Sequence, residues 1–151
     1  MAAVPNTILI IINTGRGRPY NHFAAYTFAW LARKFHNIKK VTILYGTYGI
    51  KMTEKGALAG LTITPEQKQV IASEFDREVL KAEKMPDNLE QLARFEKDKM
   101  EISIVSLGTF NVLEGIGKEV GDRSNIEDFI DPITLNEACR LMLEADQILY
   151  F

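Results

Sequence analysis

A loop rich in arginine and glycine follows the first apolar run of the chain. The run "TILIII" at residues 7–12 is succeeded by "NTGRGRPYNH", which begins at Asn13 and carries Arg16, Arg18 and His22. Guanidinium groups beside the unpaired N–H groups of a helix start favour an anion. We therefore expect the loop to bind a small anionic ligand or the acidic tail of a partner; a solvated turn or an intersubunit salt bridge is the alternative. His22 alone is better explained by packing at the start of the helix than by catalysis.

Polar side chains also follow the second and third apolar runs. Tyr48 and Lys51 come after "VTILY", and Ser106, Thr109 and Asn111 lie at or just after the end of "ISIVSL". The carboxyl ends of parallel strands meet at one edge of a sheet, where α/β proteins bind ligands, so these residues are predicted to share a pocket with the arginine loop. The Tyr48 ring could wall that pocket or lie half-buried at a subunit interface. Ser106 has no identified base beside it, so the sequence indicates no catalytic nucleophile.

Residues typical of cofactor or metal sites are sparse. Gly15 and Gly17 lack the third glycine of the dinucleotide-binding fingerprint. The single cysteine, Cys139, excludes an internal disulfide and a multi-cysteine metal site. We expect neither a cofactor nor a metal, because irregular spacing disfavours a cation site among the carboxylates of the loop "GDRSNIEDFIDP". These carboxylates are Asp122, Glu127, Asp128 and Asp131.

Alternating strand-like and helix-like segments must position these side chains. The apolar runs "TILIII", "KKVTILYGTYG", "MEISIVSL" and "DQILYF" predict strands, and the continuous β-branched run "TILIII" is typical of a strand covered on both faces. A very short further strand is predicted within "GDRSNIEDFIDPI". Helical spacing follows in "YNHFAAYTFAWLARKF", and a capping box of Thr134 and Glu137 opens "TLNEACRLMLEA". This order predicts an α/β fold, a three-layer α/β/α sandwich with a mainly parallel five-stranded sheet.

A charged segment at about residues 64–98 is predicted to be a helical insertion. Thr64, Pro65 and Gln67 give the start signal of one helix, and Asp87 with Glu90 gives that of another. Its apolar positions are few, so we expect it to pack on one side only. Two interpretations are open. The segment is either a solvent-exposed amphipathic helical segment, or an arm that joins subunits or a lid.

The composition is that of an ordinary soluble protein. Hydrophobic residues make up 46% and charged residues 25% of 151, and the net charge of -2 is too small to indicate nucleic-acid binding. No run reaches the roughly 18 apolar residues of a membrane span, and the start of the chain lacks the basic region of a secretory signal. We therefore expect one domain over residues 1–151, in the cytoplasm, with no nucleic-acid or membrane partner.

Three segments agree with a known family in their order and spacing. They are the opening strand with its loop and long helix, the stretch "LYGTYGIKMTEKGAL", and "LGTFNVLEGI" followed by "ITLNEACRLMLEADQILYF". Together they resemble the DsrE/DsrF-like (DsrEFH) family of small sulfur-relay proteins, over most of the chain except the charged insertion. The resemblance implies a flavodoxin-like sandwich and a homo-oligomer, or a hetero-oligomer with related subunits. It also implies a sulfur-carrier protein as partner and, in active members, a cysteine that carries a persulfide.

This chain departs from the family at the reactive position. The family's cysteine stands just after the third strand, eight residues before the glycine that ends the next short helix, and eight before Gly115 is Leu107. Some members read Cys-Gly-Thr where this chain reads Leu107-Gly108-Thr109, and Phe110 stands where some carry a second cysteine. A persulfide carrier needs an accessible thiolate, which leucine and threonine do not supply.

The leucine at the family's cysteine position determines which function we expect. We expect a DsrE-like protein that is not an enzyme at this site, acting as a binding or scaffold subunit related to intracellular sulfur transfer. One alternative is a protein or enzyme that binds a small anion in the edge pocket. Another is a sulfurtransferase that uses Cys139, although we expect this thiol to be a buried core residue on one helical face with Leu135, Met142 and Leu143.

Overall fold

A fully parallel five-stranded sheet forms the centre of the fold in a computed structural model that describes residues 4–75 and 81–151. The strand order is β4-β3-β2-β1-β5. The strands are β1 (Thr7–Ile12), β2 (Lys40–Tyr45), β3 (Ser103–Leu107), β4 (Asp131–Ile133) and β5 (Gln147–Tyr150). The helices are α1 (Pro19–Lys34), α2 (Pro65–Ser73), α3 (Leu89–Met100), α4 (Gly108–Leu113) and α5 (Leu135–Glu144). The predicted α/β fold with a mainly parallel sheet is confirmed.

One face of the sheet is covered by α1, α2 and α3. Alternate side chains of β1 and β2, such as Ile10 and Ile43, are fully buried there, because successive strand residues point to opposite faces. The helices contribute residues such as Tyr26 and Leu92 to this larger part of the core. Trp30 of α1 stacks on Phe95 of α3 with ring centroids 5.1 Å apart, which joins the two helices.

The other face has a smaller core. Leu9, Ile11, Leu44 and Val105 of the strands point to this side. They are covered by α5, by α4, and by a 3-10 helix at Thr47–Thr53 that follows β2. This covering is thin, because Ala138 is the only buried residue of α5.

The charged segment lies within the connection from β2 to β3. Thr64 and Gln67 form the predicted capping box of α2, while α3 begins one residue later than predicted, because Asn88 is the N-cap and accepts from the Gln91 N–H. The buried side of α3 packs against α1 and shares the larger part of the core with the strands, so residues 89–100 act as the crossover helix that two parallel strands require. Part of the predicted insertion, residues 76–80, lies outside the described residues.

Helix α5 corrects one prediction. The capping box of Thr134 and Glu137 is confirmed. The expected burial of Cys139 is wrong, because the thiol-bearing residue is exposed together with its neighbours on the same helical face. The helix instead turns a different side to the sheet, where small side chains allow close approach; this side consists of Ala138, Leu141 and Ala145.

Within residues 4–75 and 81–151, none of the helices has the length and apolar character that crossing a lipid bilayer requires.

Candidate functional site

A cavity of about 730 Å³ lies beside the loop after β1 and the 3-10 helix after β2. Both segments follow the carboxyl ends of neighbouring parallel strands, the edge at which open α/β sheets bind ligands. Basic side chains outnumber acidic ones around it. The lining residues are Gly15, Arg16, Thr47, Tyr48, Lys51, Met52, Glu54, Lys55, Gly56, Ala57 and Glu114.

The basic residues reach the cavity from two segments. The Arg16 guanidinium packs over Gly60, where an added Cβ would stand 2.5 Å from Nη2. The Lys51 ammonium lies 3.8 Å from a Glu114 carboxylate oxygen in an exposed ion pair. Exposed ion pairs are weak, so the ammonium stays available to a ligand. Lys55 is also exposed at the rim. The site therefore offers three cations, from Arg16, Lys51 and Lys55, to a ligand with distributed negative charge.

Asn13 positions the aromatic side of the cavity. Its Oδ1 accepts the Tyr48 N–H at 3.1 Å and the Thr47 hydroxyl at 3.5 Å, which ties the loop after β1 to the 3-10 helix after β2. The Tyr48 side chain remains 79% exposed at the cavity wall. Asn13 is therefore a positioning residue of the loop and not one of the lining residues.

His22 is a buried anchor. Its Nε2 lies 3.2 Å from the Gly15 carbonyl oxygen, and since a carbonyl only accepts, Nε2 carries the proton and donates. Burial lowers the pKa of His22, an effect larger than the opposing effect of its backbone hydrogen bonds, so the neutral ring is favoured. The residue holds the loop that carries Arg16, in agreement with packing at the helix start.

Ser106 and Asn111 join an internal hydrogen-bond chain. The Ser106 hydroxyl donates to Asn111 Oδ1 at 2.8 Å, and Asn111 Nδ2 donates to the Thr53 hydroxyl at 3.0 Å. Thr53 in turn donates to the Ile50 carbonyl at 2.6 Å. This chain connects β3, α4 and the 3-10 helix behind the cavity, so neither Ser106 nor Asn111 presents a free group to a ligand.

The end of β3 is filled with hydrocarbon. Leu107 is 7% exposed and serves as the N-cap residue of α4, with its side chain in the smaller core. Gly108 is enclosed as well, since an added Cβ would lie 3.0 Å from Val120 Cγ1 and 3.1 Å from the Ile133 carbonyl. Thr109 and Phe110 are half-buried. This position offers packing and no nucleophile.

Carboxylates of the loop "GDRSNIEDFIDP" at residues 121–132 form ion pairs with arginines. Arg94 of α3 lies 2.7 Å from Asp128 and 3.3 Å from the buried Glu127. The second oxygen of Glu127 accepts the Gly56 N–H at 2.6 Å, so this loop supports one wall of the cavity. Asp131 pairs with Arg123 at 2.7 Å.

The structure brings together part of the predicted site. Arg16, Tyr48 and Lys51 line the cavity, whereas Arg18 is the exposed N-cap of α1 and does not. Lys55 and Glu114 were not predicted from the sequence, although Lys55 stands in the lysine-rich stretch "KMTEKGAL" and could have been identified from it. Cys139 lies outside the cavity, on the outer side of α5.

Comparison with known proteins shows that the fold of this chain is similar to one that has been solved. The chain is similar to the crystal structure of the ychN protein from E. coli, with a TM-score of 0.61 and 14% sequence identity, over 97% of this chain and 98% of that chain. That protein has a DsrE/DsrF-like, flavodoxin-like α/β fold. At this identity the likeness shows the fold alone. No protein-family model and no curated protein sequence matches the chain.

Proposed function

We propose that the chain is a non-catalytic binding or scaffold subunit of DsrE-like fold, related to intracellular sulfur transfer, that carries no persulfide at the end of β3. Two observations support the proposal. The fold is similar to that of a DsrE/DsrF-like protein over nearly the whole chain. The residue that closes β3 and begins α4 is Leu107. Its partners in this proposal are a sulfur-carrier protein or related subunits.

The buried leucine carries the proposal. Sulfane sulfur is held by a thiolate, which reacts when it is accessible and stabilised by a nearby positive charge or helix start. Leu107 has no group that ionises, and its side chain packs with Leu44 and Val105 in the smaller core. The junction between β3 and α4 therefore lacks both the reactive atom and the accessibility that a persulfide carrier needs.

A sulfur-loading experiment tests this proposal. The variant Cys139→Ser, which has no thiol, is incubated with a sulfur donor, freed of excess reagent and treated with cyanide. We expect no thiocyanate above the level of a heat-denatured control. Release of about one thiocyanate per chain would show that sulfur is held without any cysteine, and the proposal would fail.

The cavity supports a second candidate, a protein that binds a small anion. Arg16, Lys51 and Lys55 converge on a space of about 730 Å³ with an exposed aromatic ring at its wall. Charged groups around a cleft raise the local concentration of ligands of the opposite sign. An anion held here would be contacted by one guanidinium and two ammonium groups.

Thermal shift measurements test the second candidate, because a ligand that binds only the folded state raises Tm. Phosphate, sulfate, nucleotides and small thiols are added in turn, to the wild type and to two variants. We expect one of them to raise the Tm of the wild type and of Arg18→Ala, but not of Arg16→Ala. Arg18 is the matched control, because it stands in the same loop outside the cavity. No shift with any of these compounds, or equal shifts in both variants, would reject binding through Arg16.

The exposure of Cys139 favours a third candidate, sulfur transfer through this thiol. The residue is accessible on α5, but it stands on an outer helix face and not at the cavity. Wild type and Cys139→Ser are compared after incubation with a sulfur donor. Cyanide-releasable sulfur in the wild type that disappears in the variant would establish this candidate, and equal, negligible release from both would exclude it.

A further inference from the structure

The Arg16 guanidinium has a defined place beside the cavity without being neutralised there. A Cβ at Gly60 would stand 2.5 Å from Arg16 Nη2, so the guanidinium occupies the space that a side chain at position 60 would fill. Among residues 4–75 and 81–151, Arg16 takes part in no ion pair. A guanidinium presents its N–H donors in a rigid planar fork that matches phosphate. Arg16 is therefore positioned by packing, while its charge remains available to a ligand.

Two further glycines keep the segments around the cavity close together. Of the ten glycines in the chain, only Gly46, Gly49 and Gly60 would bring an added Cβ to less than 3.0 Å from another atom. The Cβ at Gly46 would meet Asn13 Oδ1 at 2.6 Å, and the Cβ at Gly49 would meet the last carbonyl oxygen of β1, also at 2.6 Å. These contacts press the 3-10 helix after β2 against the end of β1. The tightest glycine contacts of the chain thus surround one cavity.

The 3-10 helix after β2 presents an aromatic ring and a cation side by side. Tyr48 and Lys51 are three residues apart, and both line the cavity. A 3-10 helix has about three residues per turn, so the two side chains leave the same side of it, about 6 Å apart along its axis. Because 79% of Tyr48 is exposed, its ring is open to a stacking partner. A planar base stacks on such a ring whatever its identity.

The carboxylates of the cavity disfavour a purely inorganic anion. Glu54 and Glu114 line the same space as the three cations. A carboxylate repels phosphate, but it accepts hydrogen bonds from hydroxyl and amino groups. The volume of about 730 Å³ is that of a small-molecule site, and a single phosphate would fill only a small part of it. The lining therefore matches a ligand that joins phosphate to a planar ring and to hydrogen-bond donors.

We propose that this cavity is a nucleotide-binding site, in which the base stacks on Tyr48 and the phosphates contact the cations of Arg16, Lys51 and Lys55. The inference rests on the second candidate function, the binding of a small anion, and names the ligand class for that same site. The ribose hydroxyls and the amino groups of the base supply the donors that the two carboxylates accept.

Isothermal titration calorimetry tests the ligand class. The probes are the ribonucleoside diphosphates ADP, GDP, CDP and UDP, the nucleoside adenosine, and inorganic pyrophosphate, all at one ionic strength and without divalent cations. We expect a nucleoside diphosphate to bind about tenfold more tightly than pyrophosphate or adenosine, because only the nucleotide engages both the ring and the cations. Tyr48→Ala should remove the preference over pyrophosphate. Tyr20→Ala is the matched control, because Tyr20 is 70% exposed on α1 and lies outside the cavity.

The outcomes separate the ligand class from the anion site itself. Pyrophosphate that binds as tightly as every nucleoside diphosphate, or a preference that survives in Tyr48→Ala, would overturn the nucleotide assignment and leave the anion site standing. Adenosine that binds as tightly as ADP would overturn it too, because the phosphates would then contribute nothing. Binding of neither pyrophosphate nor any nucleoside diphosphate would reject both the nucleotide assignment and the anion site.

The variant Gly60→Ala tests how Arg16 is positioned. The added methyl group meets only the end of a flexible side chain, so we expect Tm to change little while the affinity for nucleoside diphosphate falls several-fold. In the Arg16→Ala background, Gly60→Ala should cause no further loss, because the group that it displaces is absent. Gly17→Ala is the control, since its Cβ would meet nothing within 4 Å. Full affinity in Gly60→Ala, or an additive loss in the double variant, would contradict positioning through Arg16.

Discussion

At the scale of single residues, the most informative side chain of the core is Glu96. It is fully buried on α3, and neither carboxyl oxygen has a hydrogen-bond partner among the described residues. Burial raises the pKa of Glu96 well above its usual value, so the folded protein favours the neutral acid. The buried hydroxyls of Tyr26 and Tyr45, by contrast, bond to each other at 2.6 Å. Glu96 is thus a polar group that the fold tolerates at a cost.

This cost predicts a particular pH dependence of stability. In the unfolded chain Glu96 ionises above the ordinary glutamate pKa of 4.5, whereas in the folded protein it stays protonated to higher pH. Wild-type stability therefore falls, relative to Glu96→Gln, as the pH rises above that value. We expect Glu96→Gln to gain stability over wild type between about pH 5 and pH 8 in urea unfolding, with the gain increasing with pH.

Glu119→Gln is the matched control, because Glu119 is exposed and its substitution should leave the pH dependence unchanged. A difference between Glu96→Gln and wild type that does not change with pH would contradict a raised pKa for the buried acid.

At the scale of elements, the 3-10 helix after β2 is pressed against the end of β1. A Cβ at Gly49 would stand 2.6 Å from the Ile12 carbonyl oxygen and 3.2 Å from that of Thr14. Both contacts are with backbone, which cannot move aside as a flexible side chain can. This close approach brings Tyr48 and Lys51 to the cavity, so glycine is needed here for the site as well as for packing.

Substitution by alanine measures this requirement. We expect Gly49→Ala to lower the free energy of unfolding by about 1–3 kcal/mol, the usual cost of overpacking. Gly17→Ala serves as the control, since its Cβ would meet nothing within 4 Å, and it should be neutral or slightly stabilising. Equal stability of the two variants in chemical denaturation would contradict the close contact of these elements.

Helices and strands were predictable from the sequence where a continuous apolar run or a capping box determines them. The run at Thr7–Ile12 and the capping boxes at Thr64 and Thr134 lie where the sequence places them. The orientation of α5 was not predictable, because it has apolar residues on two sides and only the tertiary packing selects Ala138 for the core.

The cavity was predictable only in part, for a related reason. Arg16 and Tyr48 follow strand ends, which a sequence pattern can locate, and both line the cavity. Glu114 reaches the same cavity through the fold, from a distant part of the chain. Asn13 and Ser106 also follow or end strands, but their side chains make internal hydrogen bonds that no local pattern reveals.

At the scale of the whole molecule, the two faces of the sheet are unequal. One is covered by three helices with a large core, and the other by α5 and short helices, with apolar surface still exposed. The thin face carries the exposed thiol, whereas the basic cavity lies at the strand edge. The molecule therefore separates three features that active persulfide carriers combine: the strand-end position, a cysteine and an accessible site.

Intact-mass spectrometry of the wild-type protein after incubation with a sulfur donor tests this separation most directly. Mass is measured before and after treatment with cyanide, and a proteolytic digest locates any added sulfur. We expect no cyanide-removable sulfur on the peptide that contains Leu107, whether or not Cys139 reacts. Sulfur retained on the Leu107 peptide and removed by cyanide would contradict the proposed loss of the carrier function at the end of β3.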